Sequence, residues 1–253
     1  MSVQQSFMIP GRTLVWFSCG AASAVAAKIA IEQYGKTGEV EVCYCDTLAY
    51  EHPDNYRFMA DVEQWIGQPI KILGHKRFQH IFDVFEVYKF VKGPTGAPCT
   101  LELKKRVREE YSERWDIHVF GFTADEHKRI DRFVADNPEL RLRWPLLERQ
   151  INKGDCFSLL KHAEIKLPHM YRLGYKNNNC IGCVKGGAGY WNKIRKNFPY
   201  VFDQMARKER ELGFALLRVQ GKPCFLDELP RNVGRYESEP DMSCGPVCVM
   251  PTP

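Results

Sequence analysis

Cys180-Ile181-Gly182-Cys183 sets two thiols at the spacing that chelates a single metal or an iron–sulfur cluster, and Gly182, Gly186 and Gly187 relieve crowding around it. Cys99 lies far upstream, after Pro98 and ahead of a helical pattern whose N-terminal dipole would favour a thiolate. Cys244 and Cys248 stand in Ser-Cys-Gly-Pro-Val-Cys, a setting that core packing explains poorly. The other five cysteines, Cys19, Cys43, Cys45, Cys156 and Cys224, lie in or beside apolar runs and read as buried small hydrophobes. Ten cysteines in a chain without an export signal point to metal or redox chemistry rather than disulfides. A structural zinc site would use the same thiolates as a cluster.

A second chemistry lies at Ser18-Cys19-Gly20-Ala21-Ala22-Ser23. A buried strand ends here and a helix begins, so small residues admit a close ligand and free helix N–H groups favour an anion. The same composition suits a tight strand-to-helix turn that binds nothing. Between residues 161 and 200, eight Lys/Arg face Glu164 alone, a net of +7 against +5 for the whole chain. Such a segment would attract a nucleotide or a nucleic-acid backbone, or simply form a solvated face. Tyr171, Tyr175, Tyr190 and Trp191 could stack bases there, but packing of their helices is favoured. The seven histidines make no zinc-protease pattern, and His52 reads as a loop residue.

Alternating elements must position these groups. Strands are expected at 13–17, 39–44, 69–73 and 117–122. Helices are expected from the small-residue turn to about 34, from Asp54 as N-cap with Phe58, Val62 and Trp65 buried, and at 101–111 and 124–134. That alternation predicts a parallel α/β sheet. Beyond Pro145 the character changes. Asp155 caps a short helix at 157–163, a Gly/Asn/Cys-rich loop covers 174–189, a helix covers 190–212, and the Pro-rich tail folds back. The expected domains are therefore 1–145 and 146–253. With 253 residues, 44% hydrophobic and 26% charged, the chain is globular rather than disordered. Its uncharged stretch at 13–27 is too short to span a bilayer, so a soluble, cytoplasmic protein is expected.

Several segments, in order, resemble the phosphoadenosine phosphosulfate reductase family of the PP-loop, adenine nucleotide α-hydrolase-like superfamily. The turn at 18–23 is similar to the PP-loop itself. Cys45-Asp46-Thr47 followed by Glu51-His52-Pro53-Asp54 resembles the Asp-Thr turn near the adenosine. Gly121 to Glu126 with Arg129 resembles the Gly-x-x-x-x-Glu-x-x-Arg segment, and Trp144-Pro145-Leu146-Leu147 the Pro-Leu-Leu segment. Gly174-Tyr175 leading to Cys180 resembles the Gly-Tyr…Cys-x-x-Cys passage. The resemblance implies a Rossmann-like PP-loop sheet with a cysteine-bearing C-terminal extension. It also implies an adenine nucleotide held by Ser18, Gly20, Ser23, Asp46, Thr47, Gly121, Glu126 and Arg129.

Cluster-bearing members pair a Cys-Cys before a basic helix with a downstream Cys-x-x-Cys. Here Cys99-Thr100 precedes Lys104, Lys105 and Arg106, so Cys99, Cys180 and Cys183 match and Thr100 replaces the fourth ligand. Cys244 or Cys248 would complete a 4Fe–4S cluster, or one iron stays open. The tail also resembles the Cys-Gly segment that carries the nucleophile of sulfonucleotide reductases, so the two roles compete for one pair. The implied reaction is attack of a tail thiolate on a sulfonucleotide, with reduced thioredoxin or glutaredoxin releasing sulfite. Two departures bear on this. Ala22 stands where ATP pyrophosphatases of this fold carry an Asp, and Thr123 where reductases often place an arginine. The rivals are an ATP-dependent protein that thiolates tRNA or DNA, and a non-catalytic nucleotide- or nucleic-acid-binding module.

Overall fold

The computed structural model describes residues 11–93, 96–239 and 242. In order, its elements begin with β1 (Thr13–Phe17), α1 (Ala21–Tyr34), β2 (Val40–Cys45), α2 (Asp54–Ile66), β3 (Ile70–Leu73) and α3 (Ile81–Tyr88). Next come α4 (Pro98–Thr100), a π-helix (Leu101–Arg106), α5 (Val107–Tyr111), β4 (Ile117–Phe120), α6 (His127–Asp136) and β5 (Arg141–Arg143). The last are α7 (Pro145–Glu148), α8 (Lys153–His162), α9 (His169–Arg172), α10 (Ala188–Asn197), α11 (Pro199–Leu212), β6 (Leu217–Val219) and β7 (Lys222–Cys224).

Two compact units are interleaved along the chain. The first takes residues up to 44, 59–71 and 111–166; the second takes 45–58, 72–110 and 167 onward. The boundary expected near 145 falls inside the first unit, because α7 and α8 both pack on α1.

The sheet has the order β3-β2-β1-β4-β5, with β1 parallel to both β2 and β4, and β5 parallel to β4. All five residues of β1 are buried, as its unbroken apolar run demands of a central parallel strand. Strand order reverses between β1 and β4, the switch point where open α/β sheets present a crevice at the carboxyl edge. The α/β fold class read from the sequence is thus the one observed.

The second unit has its own core, in which Tyr190, Trp191, Phe85, Met170, Ile194 and Met205 are fully buried. Several local expectations need correction. Asp54 is the first residue of α2 rather than its cap, and its carboxylate turns to Arg57 and Arg172 at 2.8 and 3.2 Å. Trp65 is only half-buried while Ile66 takes the core position. The helix expected at 190–212 is two, broken at Phe198 because Pro199 cannot continue α10 but can begin α11. Asn152, not Asp155, caps α8; Asp155 completes a capping box three residues on. The tail is more regular than expected. β6 and β7 form a hairpin on Gln220 and Gly221, both left-handed, as a two-residue turn requires.

Candidate functional site

Two regions hold the residues singled out in the sequence. In the first unit, β1 runs into the turn at 18–23. Cys19 is left-handed with φ 54° and buried, which swings the chain so that Gly20 can start α1. Ser23 Oγ accepts from the Ser18 backbone N–H at 3.1 Å and donates to the Gly20 carbonyl at 2.9 Å, so the turn is braced from inside. No side chain caps α1 at Gly20, and Ser18 is exposed. Backbone N–H groups at the start of this 14-residue helix therefore face the edge where an anion would sit.

Gly121, at the end of β4, closes on the same turn. A Cβ there would stand 2.6 Å from the Ser23 nitrogen and 2.7 Å from its Cα, so only glycine permits the approach. Glu126 is fully engaged: its carboxylate accepts from Thr123 N and Oγ1 at 2.9 and 3.0 Å and pairs with Arg129. Arg129 lies over the Phe122 ring at 4.4 Å. Glu126 and Arg129 thus shape the segment after β4.

Asp46 and Thr47 belong to the second unit. Asp46 Oδ1 accepts from Leu48 N at 3.2 Å, and Thr47 is buried with its hydroxyl 2.7 Å from Glu51 Oε1. Glu51 in turn accepts from Asn55 at 2.6 Å, and Asn55 accepts from Asn178 at 2.8 Å. This buried chain ties the Asp-Thr turn to the loop just ahead of Cys180. Sequence reasoning missed it. The run Asn177-Asn178-Asn179 was the available signal, since a buried amide demands partners.

Cys99, Cys180 and Cys183 line one small cavity, open to solvent. Thr47, Thr100, Leu103, Lys104 and Lys185 share its wall. Cys99 and Cys180 are half-buried, Cys183 is buried, and all eight cysteines among the described residues are free thiols. Burial raises the Tyr50 phenol, and Cys180 and Cys99 beside it raise it further. Tyr50 also accepts the Ile181 N–H at 2.7 Å through its carbonyl.

The Cys-x-x-Cys loop is held on both sides. Tyr190 hydroxyl donates to the Cys180 carbonyl at 3.2 Å and accepts the Cys183 N–H at 2.9 Å. Between them Gly182 is left-handed, with φ 75°, and a Cβ there would press on Val201 and Trp191. On the opposite wall, Cys99 and Thr100 lead into the π-helix, an irregularity frequent at functional sites. That π-helix puts Leu103 and Lys104 on the cavity, while Glu102 is wholly buried against Tyr88, Arg106 and His75.

Among the described residues, no three His, Cys, Asp or Glu side chains converge as ligands of one metal ion. The donor set nonetheless suits a cluster better than zinc. Its three thiols border one opening with no carboxylate in the wall, and in a cubane each cysteine binds its own iron rather than a common ion. Cys244 and Cys248 lie outside the described residues.

Four of the eight cations of the basic segment, Arg172, Lys176, Lys193 and Arg195, hold the second unit's own chain. Arg172 pairs with Asp54, Lys193 donates to the Gly174 carbonyl at 2.6 Å, and Arg195 to the Leu226 and Leu229 carbonyls at 3.0 and 2.8 Å. Tyr175, Tyr190 and Trp191 are buried, so they pack rather than stack bases.

Sheet order, left-handed turn and braced helix start define an open parallel α/β protein whose switch point lies between β1 and β4. No protein-family model and no curated protein matches the chain. Among solved structures it is similar to a phosphoadenylyl-sulfate (PAPS) reductase from Candida auris in complex with phosphate, at 12% identity over 66% of this chain and 80% of that one, TM-score 0.46. It is also similar to the U34-tRNA thiolase NcsA from Methanococcus maripaludis with its 4Fe–4S cluster, at 15% identity over 81% of this chain and 73% of that one, TM-score 0.45. Among the described residues, no helix is long and apolar enough to cross a membrane.

Proposed function

We propose that this chain is an adenine-nucleotide-binding enzyme of sulfur chemistry, of sulfonucleotide reductase type, with an iron–sulfur cluster on Cys99, Cys180 and Cys183. The observation that carries the reading is the shared wall of the cysteine cavity. Three cysteines from distant segments meet there with Thr47 of the Asp-Thr turn and with two cations, Lys104 and Lys185. The α1 N–H groups and Ser18 hold phosphate, and Gly121, which closes on the same turn, borders the nucleoside. Lys104 and Lys185 favour a substrate anion at the cavity. A bound cluster would supply local charge and hold the two cysteine segments together.

In the reaction this reading assigns, a tail thiolate attacks the sulfate sulfur and the adenosine phosphate leaves, giving an enzyme thiosulfonate. A reduced thioredoxin or glutaredoxin then supplies two electrons from its dithiol, becomes a disulfide and releases sulfite. Four cations of residues 161–200, Arg172, Lys176, Lys193 and Arg195, are engaged by the chain itself, which favours this reading over thiolation of tRNA or DNA. Ala22 favours it too, because alanine offers no carboxylate for magnesium during ATP cleavage.

The test is anaerobic purification followed by absorption, metal analysis and a nucleotide panel on one sample. Brown protein containing iron and sulfide, with tight sulfonucleotide binding and sulfite release, is the expected result. Colourless protein with one zinc would overturn the cluster, and ATP-dependent pyrophosphate release would overturn the reductase assignment.

A further inference from the structure

Glu102 is wholly buried, a rare place for an acidic side chain, and its carboxylate is gripped from three segments. The Tyr88 hydroxyl, at the end of α3, donates to Oε1, and Arg106 pairs with the same oxygen at 2.6 Å. His75, in the loop after β3, sets Nε2 3.3 Å from Oε2, near enough for attraction but not aligned for a hydrogen bond. The His75 ring is itself fixed. Its Nδ1 accepts the Arg77 and Phe78 N–H groups at 3.1 and 3.0 Å, and the ring stacks on Phe78. Because Nδ1 accepts, the proton of the neutral ring sits on Nε2, facing the carboxylate. Glu102 thus ties the π-helix to α3 and to the loop after β3, yet it is not part of the cavity wall.

What this grip fixes is the winding of the helix. In an α-helix, positions five apart stand about 140° from one another around the axis. A π-turn spends one more residue per turn, which brings the fifth residue back over the first. Cys99 and Lys104 are five apart, and both face the one cavity. The Lys104 carbonyl is held as well: it accepts the Cys45 thiol at 3.6 Å, and burial raises that thiol and keeps it a donor.

We propose that Glu102 is a positioning residue for anion binding, locking the π-turn that sets the Lys104 ammonium over the cavity beside Cys99. The inference deepens the reading that a substrate anion enters this cavity, and rests on it. A cation fixed in advance has little freedom left to lose when the anion arrives.

The test reads charge at the cavity through its own thiols. The full chain is freed of metal anaerobically with a chelator and alkylated with anionic iodoacetate or neutral iodoacetamide, and Cys99 is followed by peptide mass spectrometry. The ratio of the two rates reports local charge, whereas a loosening of the fold speeds both reagents and cancels. The folded wild-type ratio is expected to exceed that of the same chain unfolded in urea by roughly fivefold, the effect of a unit charge a few ångströms away. Glu102→Gln and Lys104→Ala should each lower it by about threefold, and the double variant no further than Lys104→Ala alone. Adding Lys185→Ala to Glu102→Gln should lower it again, because Lys185 comes from the other cysteine segment. By charge alone, neutralising an acid would raise the ratio, so a fall marks lost positioning. Melting confirms folding, and Tyr88→Phe, which removes one donor from the same carboxylate, carries the test in the same direction if Glu102→Gln does not fold.

A ratio in Glu102→Gln at or above wild type, a wild-type ratio in Lys104→Ala, or additive losses in their double variant would each overturn the inference. A folded wild-type ratio no higher than the unfolded one would overturn it together with the anion reading. The reductase reading fails separately: adenosine phosphosulfate binding no tighter than adenosine monophosphate would overturn that reading, while the alkylation ratios would still decide the role of Glu102.

Discussion

The turn at 18–23 and the cysteine cavity are built on opposite plans. The turn is local: six consecutive residues, a buried left-handed cysteine, and a helix start left open to an anion. Gly121 approaches it from the end of β4 and contributes by having no side chain. The cavity is assembled from residues 47, 81, 99–104 and 180–185, distant in sequence, and its walls are braced by side chains from elsewhere in the fold. Tyr190 braces one cysteine loop, and Glu102 anchors the π-helix that carries the other wall. A site made of backbone is sensitive to added atoms; a site made of side chains is sensitive to removed ones.

That contrast sets the order of expected effects. Cys183→Ser should abolish iron uptake altogether, read as the loss of visible absorption after reconstitution. Full colour in that variant would remove the cavity from the comparison. Gly121→Val adds atoms where the Ser23 backbone already stands. It should destabilise by about 1–3 kcal/mol, as overpacking does, and weaken nucleotide binding at least tenfold. Melting and nucleotide titration of one preparation would check both, and unchanged affinity in the folded variant would show that the turn is structural only.

Glu209 sharpens the comparison through pH. It is wholly buried between the Leu216 and Leu226 N–H groups, and burial lifts its carboxyl to about 7 against an ordinary 4.5. The folded state therefore keeps a proton that the unfolded chain gives up first. The stability of the second unit should be full below about 4.5, fall by at most roughly 1.4 kcal/mol per pH unit toward 7, and level off above. Urea melts across that range should lose more stability with rising pH in wild type than in Glu209→Gln, where His52 and His80, held below the ordinary imidazole range by burial, act in the opposite direction. The smallest effect is expected from Glu239→Ala, which removes the cap of α10. About 1 kcal/mol of stability should go, seen as a drop of a few degrees in Tm, with the first unit unaffected.

The two plans also explain what could be read in advance. β1 and the turn were legible because a five-residue apolar run followed by small residues has few other solutions. Cys180 and Cys183 were visible through their spacing, and Cys99 through its place before a helix. The π-helix was not legible, since its register depends on Glu102 finding Tyr88, Arg106 and His75 from other segments. The Thr47–Glu51–Asn55–Asn178 chain was hidden for the same reason: its last link spans 123 positions. Nor could charge alone reveal that Lys176, Lys193 and Arg195 hold main-chain carbonyls rather than a ligand.

The interleaving of the two units has a consequence for how the chain is born. The second unit draws on residues 45–58 and 72–110, but Tyr190, Trp191, Ile194 and Met205 supply much of its core. During synthesis, the apolar faces of α3 and of the segment around Leu103 leave the ribosome well before the residues that cover them. The strands of the first unit, by contrast, are all made once β5 has emerged at Arg143. Contacts of such long sequence separation form late, and until they do the first half of the second unit is exposed hydrophobic surface. Nascent chains halted between residues 110 and 190 should therefore be the form of this protein most prone to aggregate and most dependent on chaperones.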